Sequence, residues 1–188
     1  TTVQVYASNY TIEATNINAL NQQELIQENE VKEYGIKLIS DLSINPNFTL
    51  QSGYQLNETG TTNFEEINNP FFRRSIKEAL ITNSVFSEIQ FKSNSNKTNL
   101  TAGGRVNHIS EFNVILFEPR ISINQKVLPY FSIDLLGEFK SQTTSQVIDL
   151  QTDFLGIENR RWVLSNPNEI PLVKSKQISL GLNYNRRG

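Results

Sequence analysis

The 188-residue chain has no cysteine and no methionine, and only one histidine and one tryptophan. Without cysteine there can be no disulfide framework, no thiolate metal site and no cysteine nucleophile. The single histidine, His108, would have to serve any Ser/His/Asp triad, and it cannot complete a histidine metal site alone. Long apolar runs are also missing. The longest spans residues 114–117, far short of the ~18 that a transmembrane helix needs. Neither charge is in excess: 17 Lys and Arg against 19 Asp and Glu leave a net charge of -2, which gives no electrostatic footprint for nucleic acid. No cofactor motif and no catalytic constellation is present. The missing initiator and the absence of a signal peptide suggest a processed product or a piece of a longer chain.

What the chain does have is a period of two. Apolar and polar residues alternate over 34–44, 48–56, 85–91, 100–106, 115–123, 131–139 and 178–184, with a weaker stretch over 3–12. Such alternation marks strands with two unlike faces, and it gives about eight of them. Several approach the ~9 to 11 residues that cross a bilayer when tilted. Asn45-Pro46-Asn47 is a turn former between two of these strands, so they form a hairpin. The connections alternate in kind: long over 14–29, short over 45–47, long over 58–74, short over 93–97, tight near 108–111, short over 125–129 and very long over 141–172. An outer-membrane barrel with short periplasmic turns and longer outer loops has this parity. No regular element is expected within 141–172, and a loop so long points to function or disorder.

Glu88, Arg105, Glu118, Arg120, Asp134 and Glu138 fall on the face opposite the Leu/Ile/Phe/Tyr side. In a barrel they would face a wet lumen. In a soluble sandwich with its apolar face inward they would face water. Alternation alone does not separate the two.

The segments 86–91 (FSEIQF), 100–106 (LTAGGRV) and 117–123 (FEPRISI), followed by 166–171 (NPNEIP) and 174–182 (KSKQISLGL), together resemble consecutive barrel strands of TonB-dependent outer-membrane receptors, particularly those of the Bacteroidetes. The likeness covers about residues 30 to 188 and rests on the order and spacing of the motifs. It implies an all-β antiparallel transmembrane barrel of about 22 strands, of which this chain supplies about eight. The implied domain is 1–188, a partial barrel without plug or TonB box, with a long extracellular loop near 141–172. The implied role is import of a scarce ligand such as a siderophore, vitamin or oligosaccharide, without enzymatic activity, in the bacterial outer membrane. The implied partners are the receptor's own plug domain and remaining barrel strands, the inner-membrane protein TonB, outer-membrane lipid and a surface lipoprotein. The sequence departs from the family pattern at Gly104, where a larger apolar residue is usual, and at its end, which lacks a terminal aromatic.

In this frame the six charged residues face the lumen and contact the plug, with Glu118 and Arg120 either forming an ion-pair ladder with Arg105 and Glu88 that grips the plug or neighbouring strands, or contacting ligand directly. Pro119 faces outward, where its missing N–H matters least. Arg160, Arg161 and Trp162 in the long loop are the candidate ligand contacts, because an aromatic beside paired guanidiniums suits anionic or sugar-like ligands. Packing of Trp162 against Phe154, Leu155 and Ile157 is the plainer reading of the same residues. Lys174 and Lys176 lie on the apolar face at the start of the last strand, either snorkelling toward lipid phosphates or forming a solvated pair. Glu65-Glu66 reads as a solvated loop pair. Three rival classes stand beside the receptor segment: a complete eight-stranded barrel of structural or adhesive role, a small barrel hydrolase using His108, and a soluble β-sandwich binding domain.

Overall fold

The computed structural model describes residues 1–20, 22–150 and 158–186, with the side chains of 149, 150 and 158–160 left out. Among the described residues ten strands form, in the order β1 (Thr2–Asn18), β2 (Gln23–Asn45), β3 (Phe48–Asn68), β4 (Phe71–Lys92), β5 (Thr98–Ile109), β6 (Val114–Leu128), β7 (Phe131–Gln142), β8 (Thr144–Leu150), β9 (Glu158–Leu164) and β10 (Val173–Tyr184). Eight of them make one antiparallel sheet, ordered β1-β2-β3-β4-β5-β6-β7-β10, curled into a half-barrel with β1 and β10 as unpaired edges. β8 and β9 pair only with each other, as a hairpin between β7 and β10.

Short polar side chains set the turns. Asn45 Oδ1 accepts hydrogen bonds from the backbone N–H of Asn47 (2.9 Å) and Phe48 (3.0 Å), closing the β2–β3 turn. Ser93 Oγ does the same for Lys97 and Thr98 in the β4–β5 turn, where Asn96 takes a positive φ of 54°. Asparagine enters the left-handed region more readily than most residues because its side chain bonds locally.

Two of the expected long connections are strands. Residues 14–29 and 58–74 run largely as the upper parts of β1 to β4, with β1 ending at Asn18, β2 beginning at Gln23, and a turn at 69–70 joining β3 to β4. Alternation reports unequal burial of two faces, and here both faces are polar, so the signal fades while the hydrogen-bonded ladder continues. The inequality expected between loops is therefore an inequality between strands: β2 has 23 residues, β5 only 12. The 141–172 stretch likewise contains the β8–β9 hairpin, where no regular element was expected.

The sheet has an apolar convex face and a polar concave face. Outward on β2 stand Tyr34, Ile36, Leu38, Leu42 and Ile44, and on β10 Ile178, Leu180 and Leu182, which are 80, 70 and 76% exposed. No second sheet covers this face among the described residues, contrary to what a sandwich requires. From residue 34 to 44 the belt measures ~33 Å along the strand, or ~25 Å if the strand tilts by ~40°. Above it the same outward side turns charged, with Glu28, Glu30 and Lys32 on β2 and Arg73 and Lys77 on β4. The small core lies on the concave side at the upper rim, where Leu80, Ile109 and Leu116 bury Leu164 from the end of β9.

Candidate functional site

The concave face carries a continuous hydrogen-bonded lattice. Its register follows from pairing: Tyr6 lies opposite Gly35 across β1–β2, and Gly53 opposite Phe86 across β3–β4. Both glycines leave room for the facing ring, because a Cβ on Gly35 would sit 2.3 Å from Tyr6 Cζ and one on Gly53 2.3 Å from Phe86 Cζ. Covering a strand glycine with a cross-strand aromatic supplies the packing that the glycine lacks. With its ring over Gly35, the Tyr6 hydroxyl donates to Asn57 Oδ1 and accepts from Gln55 Nε2 at 2.6 Å. Asn57 in turn donates to Glu33.

Arg105 joins this lattice to the next strands. It donates from Nη2 to Gln55 Oε1 (2.6 Å) and from Nε to Asn107 Oδ1 (2.8 Å), and Asn107 also accepts from Ser84 Oγ at 2.7 Å. Its guanidinium stands 5.9 Å from the centre of the Phe86 ring, and Lys37 approaches the same ring at 5.1 Å. The three amide side chains Gln55, Asn57 and Asn107 were not singled out in the sequence, although all lie on its polar face. Charge marks Arg105 in the sequence, whereas its hydrogen-bond partners are neutral amides.

The other charged positions divide into pairs and bridges. Arg120 Nε lies 3.6 Å from Glu88 Oε2, and Gln90 also donates to Glu88. Glu138 pairs with Lys140 at 2.8 Å. Glu118 accepts from both the backbone N–H (2.8 Å) and the hydroxyl of Ser141. Asp134 accepts from Asn124 and Asn183. Among the described residues only the Arg120–Glu88 step of the expected ladder is an ion pair; Arg105 uses amide oxygens and Glu118 a serine.

The β8–β9 hairpin lies against the concave side of β2, β3 and β4. Trp162 fixes it there through its backbone: its N–H donates to Asn29 Oδ1 (2.7 Å) and its carbonyl accepts from Asn63 Nδ2 (3.0 Å). A cavity of about 580 Å³ opens between hairpin and wall, lined in part by Tyr10, Glu33, Arg105, Glu118 and Trp162. Among the described residues, Thr61 Oγ1, Gln27 Nε2, Asn63 Oδ1 and the indole Nε1 of Trp162 are buried without a hydrogen-bond partner, and of these residues Trp162 lines the cavity. Buried polar atoms without partners are destabilising, and two of these, Trp162 Nε1 and Asn63 Oδ1, belong to residues of the hairpin contact itself. Arg161 belongs to the same strand, half-buried, and the backbone of Arg160 is paired with Ile148. Phe154, Leu155 and Ile157 lie outside the described residues.

On the convex side, Gly104 is explained by its neighbour. A Cβ at Gly104 would meet the Phe117 ring at 2.7 Å, so the ring fills the place of the missing side chain. His108 stands at the upper rim with Nε2 3.1 Å from Asn113 Oδ1. Among the described residues, no three His, Asp or Glu side chains gather as a metal site. Above the belt, Lys32 hydrogen-bonds to Glu30 at 2.8 Å, holding the Glu30 carboxyl below its ordinary value and the Lys32 ammonium above its own.

No family model matches the sequence, and no curated protein matches it. Among solved structures the fold is similar to the siderophore receptor PirA from Pseudomonas aeruginosa, with a TM-score of 0.51 and 13% identity. The match covers 99% of this chain and 37% of that chain. The likeness is one of fold: nearly the whole chain superposes on about a third of a receptor's length.

Proposed function

We propose that this chain is a section of the wall of a TonB-dependent receptor in the bacterial outer membrane, importing a scarce ligand without catalysing a reaction. The observation that carries the reading is the ~25 Å apolar belt on the convex face, with a charged outward surface above it. Exposing an Ile, Leu or Phe side chain to water instead of an apolar medium costs about 1.5 to 3 kcal/mol, and the belt has many such residues. Hydrocarbon removes that cost. The lower rim supports the same reading: Phe48 and Phe91 stack at 4.8 Å and Phe131 meets Tyr184 at 4.8 Å, aromatics at the height where barrels carry a girdle.

Open edges favour a section over a complete eight-stranded barrel. β1 and β10 lie at opposite ends of the sheet order, and unpaired backbone at a sheet edge is not tolerated in lipid. Further strands of the same receptor would pair with both. The concave lattice, including Glu88, Arg105, Glu118, Arg120, Asp134 and Glu138, would then face the lumen and the plug domain, with TonB acting on the plug from the inner membrane. The β8–β9 hairpin, with Arg160, Arg161 and Trp162, would meet incoming ligand from the outer side, where a surface lipoprotein could also dock. Siderophores, vitamins and oligosaccharides all fit this outline.

The absence of cysteine allows a direct test. Single cysteines at Ile121, Leu180 and Glu28 are exposed in cells to a membrane-impermeant maleimide. Protection at Ile121 and Leu180 with labelling at Glu28 is expected; labelling of all three would rule out the membrane wall. Removing residues 145–165 from the receptor tests the hairpin's part separately: ligand uptake should fall while heat-modifiable barrel remains in the membrane.

A further inference from the structure

The sheet splits at the top of the belt. β6 and β7 pair only from Arg120 and Glu138 downward, while above that point β6 stays with β5 up to Val114 and β7 stays with β10 up to Gln142. Pro119 sits at the fork, and having no N–H it cannot continue the ladder. The side chain of Glu118 closes the inner side of the gap by accepting from the Ser141 N–H and hydroxyl. The outer side remains open as a groove of about 180 Å³ that crosses β7 from β6 to β10.

The groove has an apolar floor and a cationic end. Ile115 and Phe117 from β6 and Phe139 from β7 are all exposed along it. Lys174 and Lys176 from β10 close it at the upper rim, on the same outward side as Ile178 and Leu180 below them. Lys176 Nζ lies 5.3 Å from the centre of the Phe139 ring, a contact that orients the ammonium without using its N–H donors. Neither lysine forms an ion pair among the described residues, and the carboxylate in the groove lining, Glu118, is engaged on the opposite side by Ser141. Two lysines two residues apart on one strand face stand about 7 Å apart at Cα, a span that suits two ammoniums on one phosphate.

We propose that this groove is a specific site for a phosphate-bearing lipid, its acyl chain over Ile115, Phe117 and Phe139 and its phosphate between Lys174 and Lys176. The inference rests on the membrane-wall reading above, and it adds to it a defined lipid seat at one fork in the sheet. The apolar floor selects a lipid over free phosphate, and the paired lysines select an anionic headgroup over a zwitterionic one.

Native mass spectrometry of the receptor in non-ionic detergent tests this, with dioleoyl phosphatidic acid and dioleoyl phosphatidylcholine as the probes. One phosphatidic acid should be retained with at least tenfold preference. Lys174→Gln with Lys176→Gln should abolish the preference, Lys174→Arg with Lys176→Arg should keep it, and Lys97→Gln at a lower turn should leave it unchanged. Ile115→Ser should weaken lipid retention with both lysines present. Equal retention of the two lipids by a protein that enters micelles and shows heat-modifiable migration would overturn the lipid site alone. Displacement of the lipid by inorganic phosphate at similar concentration would reduce the groove to a simple anion site. A protein that does not enter micelles would overturn the wall reading and this site together.

Discussion

The ring of Phe86 occupies the space that a side chain on Gly53 would need: a Cβ there would lie 2.3 Å from Phe86 Cζ and 2.3 Å from the carbonyl oxygen of Leu38. Phe86 is 5% exposed although it belongs to the polar face, so the glycine is what allows an aromatic to be buried in that lattice. Gly53→Ala should therefore destabilise the sheet by about 1 to 3 kcal/mol, through displacement of the ring and of the β2 backbone. Gly60→Ala, whose Cβ would meet its nearest neighbour at 3.6 Å, should change stability by less than about 0.5 kcal/mol. Urea unfolding in micelles compares the two.

Arg105 and Arg120 look alike in sequence and should behave differently. Arg120 holds Glu88 at 3.6 Å and its side chain is 45% exposed, so a double-mutant cycle on this pair should give a coupling below about 1 kcal/mol. Arg105→Met would leave Gln55 Oε1 without its donor and take one from Asn107, and should cost about 1 to 3 kcal/mol. An Arg105→Met effect no larger than that of Arg120→Met would show that the amide lattice is not what holds these strands.

Docking of the β8–β9 hairpin depends on Asn29. Its Oδ1 takes the Trp162 N–H, and Asn29→Ala would leave that donor buried and unpaired. The expected result is release of the hairpin, seen as a red shift in fluorescence from the chain's one tryptophan. Asn29→Asp keeps an acceptor oxygen and should keep the emission of the parent protein. Emission unchanged in Asn29→Ala would mean that Leu164 in the small core holds the hairpin without Asn29.

All eight sheet strands were legible in the sequence because each has an apolar side, and the six charged residues fall on the concave side as the alternation implied. The upper parts of β2 and β3 were not legible: Glu28 and Asn29, or Thr61 and Thr62, differ in what they touch and hardly differ in polarity. The hairpin escaped for a related reason. Its position depends on Asn29 and Asn63, more than a hundred and nearly a hundred residues before Trp162, and no local period records such a contact.

Above the belt, pH acts through Glu30 and Lys32. The hydrogen bond from Lys32 is the largest influence lowering the Glu30 carboxyl below 4.5, and the same bond raises Lys32 above 10.5. A lowered carboxyl stabilises the fold above its ordinary titration range and loses that contribution as pH falls through the folded value. A raised ammonium contributes below 10.5 and loses it as pH rises past the folded value. Lys32→Gln should move the Glu30 midpoint upward, toward 4.5, in an NMR titration of its carboxyl carbon. An unmoved midpoint would assign the shift to other neighbours.

The sign of one substitution separates lipid from water on the convex face. Leu180 is 70% exposed near the middle of the belt on β10. If the belt faces hydrocarbon, Leu180→Arg places a guanidinium near the bilayer midplane and should cost about 2 to 4 kcal/mol. If it faces water, the same change removes an exposed apolar group and should be neutral within about 0.5 kcal/mol or favourable. Ser75→Arg, exposed on the outward side of β4 above the belt, should be near neutral in either case, which controls for the charge itself. Folding titrations in phospholipid vesicles measure both variants. A Leu180→Arg protein as stable as its parent would remove the apolar belt as an argument for a membrane wall, and with it the reason to read the concave lattice as a lumen.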